Sequence, residues 1–167
     1  MARRARRVTG GEEFSQLLNA VAGDTGIEVA RAGVFAGAGV LADAVKAEIR
    51  DLPEQEGYMA PGYQRNVISS YDKQQLEQHM GISHIYHDGD KASAYVGFAG
   101  YTDKPTKKFP QGVPVPLLAR SLESGSSVRR KNSFVRRAYN KSKTAVQAAA
   151  AEAGQRAMDE GIKKNGG

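Results

Sequence analysis

Four groups of residues have types and spacings that could do chemistry. The first is Gly37-Ala38-Gly39-Val40-Leu41-Ala42, which fits the G-x-G-x-x-G/A dinucleotide fingerprint. That fingerprint needs a strand feeding the first glycine and a helix opening after it, so that free amides face a pyrophosphate. Here the apolar positions Ile27, Ala30, Val34, Ala38, Leu41, Val45 and Ile49 run through the glycines at helical spacing. The amides are therefore expected to be bonded within a helix, and the dinucleotide reading is rejected. Gly33, Gly37 and Gly39 are assigned instead to close approach of another helix or chain, and are taken as a subunit-interface candidate.

The histidines suggest a metal: His79, then His84 and His87 with Asp88 and Asp90 behind them. Residues three apart on a strand point to opposite faces, and a zinc site needs three or four converging ligands. Ordinary turn and hairpin roles are expected, with no metal and no cofactor. Ser121, Ser124, Ser126 and Ser127 cluster around Gly125 without a G-x-S-x-G elbow, and no P-loop is present. Nothing in these patterns asks for an enzyme.

The fourth group is the strongest signal: Ser127-Val128-Arg129-Arg130-Lys131-Asn132-Ser133-Phe134-Val135-Arg136-Arg137. Basic side chains around one aromatic at a helix start could grip phosphates without reading base sequence, or contact acidic loops of a neighbouring subunit. Arg129, Arg130, Lys131, Arg136 and Arg137 all lie where the helix dipole is positive, so a contact outside the helix is expected to offset the mismatch. Neutralising Arg129, Arg130 and Lys131 is accordingly expected to leave the fold as stable or slightly more so.

The elements that must position these groups follow from periodicity. Phe14, Leu17, Leu18 and Val21 suggest a short helix closed by Gly23-Asp24. An amphipathic helix is expected from about Thr25 to Arg50, stopped by Pro53. Asp72 is expected to cap a short helix through about Met80. Ile82 to Phe98 alternates around Asp88-Gly89-Asp90-Lys91 and reads as a hairpin, with one further strand expected in the 100–130 region. Pro116 suits the first position of a helix over Leu117–Glu123, closed by Gly125. Ser133 is expected to cap a last helix to about Lys163, with the stripe Phe134, Ala138, Tyr139, Ala145, Val146, Ala149, Ala153 and Ala157. The fold class is therefore α+β, a small antiparallel sheet packed against long amphipathic helices. Residues 1–10 form a basic arm, 11–164 a single domain and 165–167 a tail. The long loops at 51–69 and 102–114 are expected at subunit or partner interfaces.

Composition bounds the function. The chain has 167 residues and no cysteine, which excludes disulfides, thiol catalysis and cysteine-held clusters. No window reaches the ~18 apolar residues of a membrane span, and the basic start lacks the apolar region of a signal peptide. The net charge of +6 is uneven: residues 1–10 carry four arginines and no acid, and residues 120–143 eight bases and one acid. Such concentration points to an anionic partner.

The run Leu117-Leu118-Ala119-Arg120-Ser121-Leu122-Glu123-Ser124-Gly125-Ser126-Ser127, followed by Phe134-Val135-Arg136-Arg137-Ala138, resembles the tail-completion family of long-tailed bacteriophages. These are head–tail joining, or neck, proteins, also described as minor tail components. The family's mark is Glu-x-Gly-Thr/Ser, a short basic or proline-rich link, then Phe-x-Arg-x-Ala opening a long helix. The early long helix ending near Pro53 and the hairpin reaching Val96-Gly97-Phe98 also fit, so the resemblance covers roughly residues 25–157. Lys131-Asn132-Ser133 and Arg137 replace the family's usual prolines, and its Thr-Gly-x-Leu has only Ser70 to Leu76 loosely in its place.

The resemblance implies a structural virion protein, not an enzyme. It implies a ring of six identical subunits, assembled in the bacterial host cytoplasm, between the head connector and the tail tube or its terminator. Non-specific DNA would pass through the channel, and no membrane is involved. Glu123 and Gly125 join Gly33, Gly37 and Gly39 as candidate interface residues. A second reading is a small basic module that binds nucleic acid without sequence preference. A ring former needs small or apolar surfaces on two sides of the fold, whereas a DNA binder needs only the basic stretch.

Overall fold

A computed structural model describes residues 24–54, 68–88, 91–127 and 129–165. The expected short helix around Phe14–Val21, the arm and most of the 51–69 loop lie outside these residues. The fold is α+β. Helix α1 is Asp24–Arg50, α2 Ser70–Gln78, α3 Val115–Glu123 and α4 Phe134–Asn165. Between α2 and α3 run four short strands, β1 Met80–Ile82, β2 Tyr86–Asp88, β3 Lys91–Ser93 and β4 Val96–Phe98.

Ile49, Leu76, Val115 and Phe134, one from each helix, are fully buried and define the core. Around them pack Ala42, Val45, Leu52, Ile68, Met80, Leu118, Ala119, Leu122 and Ala138, with Ile82, Val96 and Phe98 entering from the hairpin. Phe98 meets Phe134 edge-on at 6.1 Å between ring centres. The core thus sits around the C-terminal half of α1 and the first turns of α4. Beyond it the two long helices continue antiparallel, touching each other through small residues. A Cβ on Gly33 would stand 3.0 Å from the Ala150 carbonyl oxygen, and one on Gly37 would touch Val146 and Ala150 at 3.4 Å. Gly154 faces Val29 and Gly161 faces Thr25. Glycine lets two backbones approach in this way, so the helix it serves is in the same chain.

Four expectations about local structure are corrected. Ser69, not Asp72, caps α2: its hydroxyl oxygen accepts the Asp72 amide at 3.1 Å. No further strand joins the hairpin among the described residues; the 100–130 region contributes isolated bridge residues, Tyr101 pairing antiparallel with Pro114. The hairpin itself is not one continuous alternation. Met80 pairs with Phe98 and Ile82 with Val96, but Tyr86 pairs with Ser93 and Asp88 with Lys91. Three residues, Ser83–Ile85, therefore oppose two, Ala94 and Tyr95, which is a bulge that shifts the register by one. Ser83 holds it, its hydroxyl accepting the Tyr95 amide at 2.9 Å and donating to the His84 carbonyl at 2.8 Å. Lastly, Tyr139 and Ala145 of the expected α4 stripe are exposed. The row that packs is Ala138, Ser142, Val146, Ala150 and Gly154, because close approach selects small side chains over apolar ones. Buried Ser142 satisfies its hydroxyl on the Ala138 carbonyl at 2.8 Å.

The 102–114 segment is closed at its base. Thr102 and Val113 exchange backbone and side-chain bonds at 2.9 Å. Gly112, at φ +96°, lies against the Thr102 carbonyl so tightly that no Cβ fits.

Candidate functional site

The candidate site is the turn joining α3 to α4. Helix α3 buries Leu118, Ala119 and Leu122 against the core and leaves Arg120 outward. At its end Gly125 adopts φ +81°, a left-handed backbone that favours glycine, and reverses the chain. The Ser126 amide donates to the Arg129 carbonyl at 2.8 Å, and the Asn132 amide donates to the Leu122 carbonyl at 2.7 Å. These bonds bring the start of α4 back beside the end of α3.

There Glu123 does the capping expected of Ser133. Its two carboxylate oxygens accept the Val135 amide at 2.9 Å and the Arg136 amide at 3.3 Å. Ser133 turns its hydroxyl the other way, donating to the Glu123 carbonyl at 3.4 Å. A carboxylate on the first free amides of a helix satisfies both their hydrogen bonds and the helix dipole. Glu123 is thus engaged within the chain, and Gly125 serves the same turn, where a Cβ would lie 3.1 Å from the Lys131 amide nitrogen. Gly39 differs: nothing stands within 4 Å of where its Cβ would be.

The five basic residues divide into two kinds. Arg129 pairs with Asp72 on α2 at 2.5 Å, both side chains largely buried. Arg137 pairs with buried Glu48 on α1 at 2.8 Å, and Lys141 joins the same carboxylate at 2.5 Å. Lys141 and Arg137 together hold the Glu48 carboxyl below its ordinary range, against burial that pushes it up. Arg130, Lys131 and Arg136 are exposed, and no side-chain ion pair engages them among the described residues. For Arg129 and Arg137 the contact expected outside the helix is thus an acid of the same chain. It follows that Arg129 cannot be neutralised without cost. Two atoms in the turn, Arg129 Nη1 and Asn132 Oδ1, are buried without a hydrogen-bond partner.

Sequence reasoning also missed a neighbour. The loop after Tyr101 reaches the same helix, α2, that anchors Arg129. Gln75, almost fully buried, donates from Nε2 to Asp103 Oδ2 at 2.9 Å and accepts the Asp103 amide at 3.3 Å. The Tyr71 hydroxyl accepts the Lys104 amide at 3.1 Å, and the Lys104 ammonium lies 4.2 Å from the centre of the Tyr71 ring. No spacing in the sequence relates residue 104 to residue 129. The signal lay only in two separate lysine- and arginine-rich stretches.

The remaining candidates do not converge. Gly37 to Ala42 sits in the middle of α1, where backbone amides are bonded along the helix. His84 lies in the bulge, its ring 3.8 Å from that of Tyr86, so the opposite-face rule for strands does not govern it and His87. Among the described residues no three histidine, aspartate or glutamate side chains come together, and no helix is long and apolar enough to cross a membrane. Comparison with family models, curated proteins and solved structures gives no match to this chain.

Proposed function

We propose that this chain is a structural neck protein of a tailed phage, a ring-forming subunit that joins the DNA-filled head to the tail without catalysis. The observation that carries this reading is the Glu123–Gly125–Phe134–Ala138 unit. Glu123 caps α4, Gly125 makes the reversal, and Phe134 and Ala138 fill the core. The motif behind the resemblance is thus one interlocked structure, not a scatter of matching letters. The early long helix and the hairpin stand in the same order around it. Loss of the gene from its phage should leave full heads and free tails in electron micrographs, and added protein should join them. Intact virions formed without it would overturn the reading.

A second reading, a small module that binds nucleic acid without base recognition, is favoured by one observation. Arg130, Lys131 and Arg136 are exposed and, among the described residues, paired with no acid. The two readings separate on whether the chain works as a ring between particles or as a free binder.

A further inference from the structure

We propose that the loop 103–108 and the segment 129–131 form a single surface that holds the phosphate backbone of duplex DNA. This goes beyond the joining role and does not depend on it. The two segments are 26 positions apart at Lys104 and Arg130, yet consecutive residues of one helical turn anchor them. Tyr71 holds Lys104 through its hydroxyl and ring, and Asp72 holds Arg129 at 2.5 Å. The first turn of α2 is therefore a shared strut that anchors both segments at adjacent residues.

Among the described residues, two acids nearby are neutralised within the chain. Asp72 is paired with Arg129 and Glu54 with Lys73, while Asp103 is hydrogen-bonded to the neutral amide of Gln75 and keeps its charge. The five cations are exposed, and none has an ion-pair partner among the described residues. Five exposed cations against one acid left charged, Asp103, make the described residues of both segments net positive, the electrostatic footprint of a polyanion site. The composition favours DNA over an acidic protein. Protein interfaces centre on a desolvated apolar or aromatic core from which lysine is depleted. Here residues 103–108 are all exposed and contain three lysines and no large apolar side chain. Lysine ammonium groups serve as point charges for phosphates, whose contacts carry no sequence information.

Fluorescence anisotropy on the full chain with a mixed-sequence duplex of about 30 bp, between about 50 and 200 mM salt, tests the proposal through counterion release. Relative to the unaltered chain, the loop variant (Lys104→Gln, Lys107→Gln, Lys108→Gln) should flatten the slope of log K against log salt by about 2.7. The segment variant (Arg130→Gln, Lys131→Gln) should flatten it by about 1.8, and the combination by about 4.5, at roughly 0.9 per phosphate contact. Unchanged circular dichroism and melting temperature would show that the variants fold. The N-terminal arginines contribute equally to every variant and cancel. A loop variant with the unaltered slope would overturn the proposal. So would no duplex binding by the unaltered chain, binding only to polyglutamate, or loss of preference for one base sequence in the variants. None of these outcomes bears on head–tail joining, which is read in micrographs.

Discussion

Glu48 and Lys141 close a 2.5 Å ion pair across the two long helices, with the glutamate side chain only 6% exposed. Arg137 takes the other carboxylate oxygen, so one buried acid ties α1 to α4 at the point where their paired run enters the core.

This acid makes stability depend on pH. Its carboxyl is held below the ordinary 4.5, chiefly by Lys141 and also by Arg137, despite burial. A depressed acid contributes stability that is fully present above the unfolded value and is lost as pH falls through the folded one. Both cations are partly exposed, which limits the size of the effect. Glu48→Gln should cost about 1–2 kcal/mol at pH 7. The gap in melting temperature between the two proteins should close as pH falls below about 4. A gap that persists in acid would contradict the assignment.

Glu123→Ala should remove the cap of α4 and cost about 1–2 kcal/mol in chemical denaturation. Ser133→Ala should cost less, because its hydroxyl bonds a carbonyl at 3.4 Å and caps no amide. Amide exchange should quicken at Val135 and Arg136 in the glutamate variant alone.

The glycines separate by what surrounds them. Gly39→Ala meets open space in a helix interior and should stabilise the protein by about 1 kcal/mol. Gly112→Ala would press a methyl group onto the Thr102 carbonyl at a positive φ and should open the loop base, at a cost of more than about 2 kcal/mol. Melting curves of the two variants should move in opposite directions.

Arg129 and its neighbours should behave differently although they adjoin in sequence. Arg129→Ala leaves Asp72 unpaired in the first turn of α2 and should lower stability by about 1–2 kcal/mol. Arg130→Ala, Lys131→Ala and Arg136→Ala should each stay within about 0.5 kcal/mol of the parent. Equal losses at all four positions would show that exposure does not separate them.

Much of the fold was legible because it rests on periodicity. The apolar repeat from Ile27 to Ile49 marked α1 to within a residue at its start, and Gly125 marked the end of α3. What escaped depends on partners distant in sequence. Glu123 is a cap only because the turn brings α4 back to it, while serine is the usual local choice at such a position. The α4 stripe misled because hydrophobicity was sought where small size mattered, at Ser142, Ala150 and Gly154. The bulge at Ser83–Ile85 is one extra residue that leaves both strand patterns intact on either side. In the basic stretch, charge was visible but its division was not. Only the positions of Asp72 and Glu48 decide that Arg129 and Arg137 are structural while Arg130, Lys131 and Arg136 pair with no acid among the described residues.

The pairing of the first and last long helices also sets the order in which the chain can fold. During synthesis α1 emerges early, but the Ala150 and Gly154 that cover its glycine face arrive roughly a hundred residues later. At about 5–20 residues per second the ribosome needs on the order of 5–20 s to deliver them. Through that interval α1 is a nascent helix whose glycine face lacks the α4 residues that cover it, and helices of marginal propensity unravel without tertiary packing. The non-local contact must then close a long loop before it is rewarded, which slows refolding. Chains cut short before α4 should accordingly be captured by chaperones or degraded, even when every residue of the hairpin and of α3 is already present.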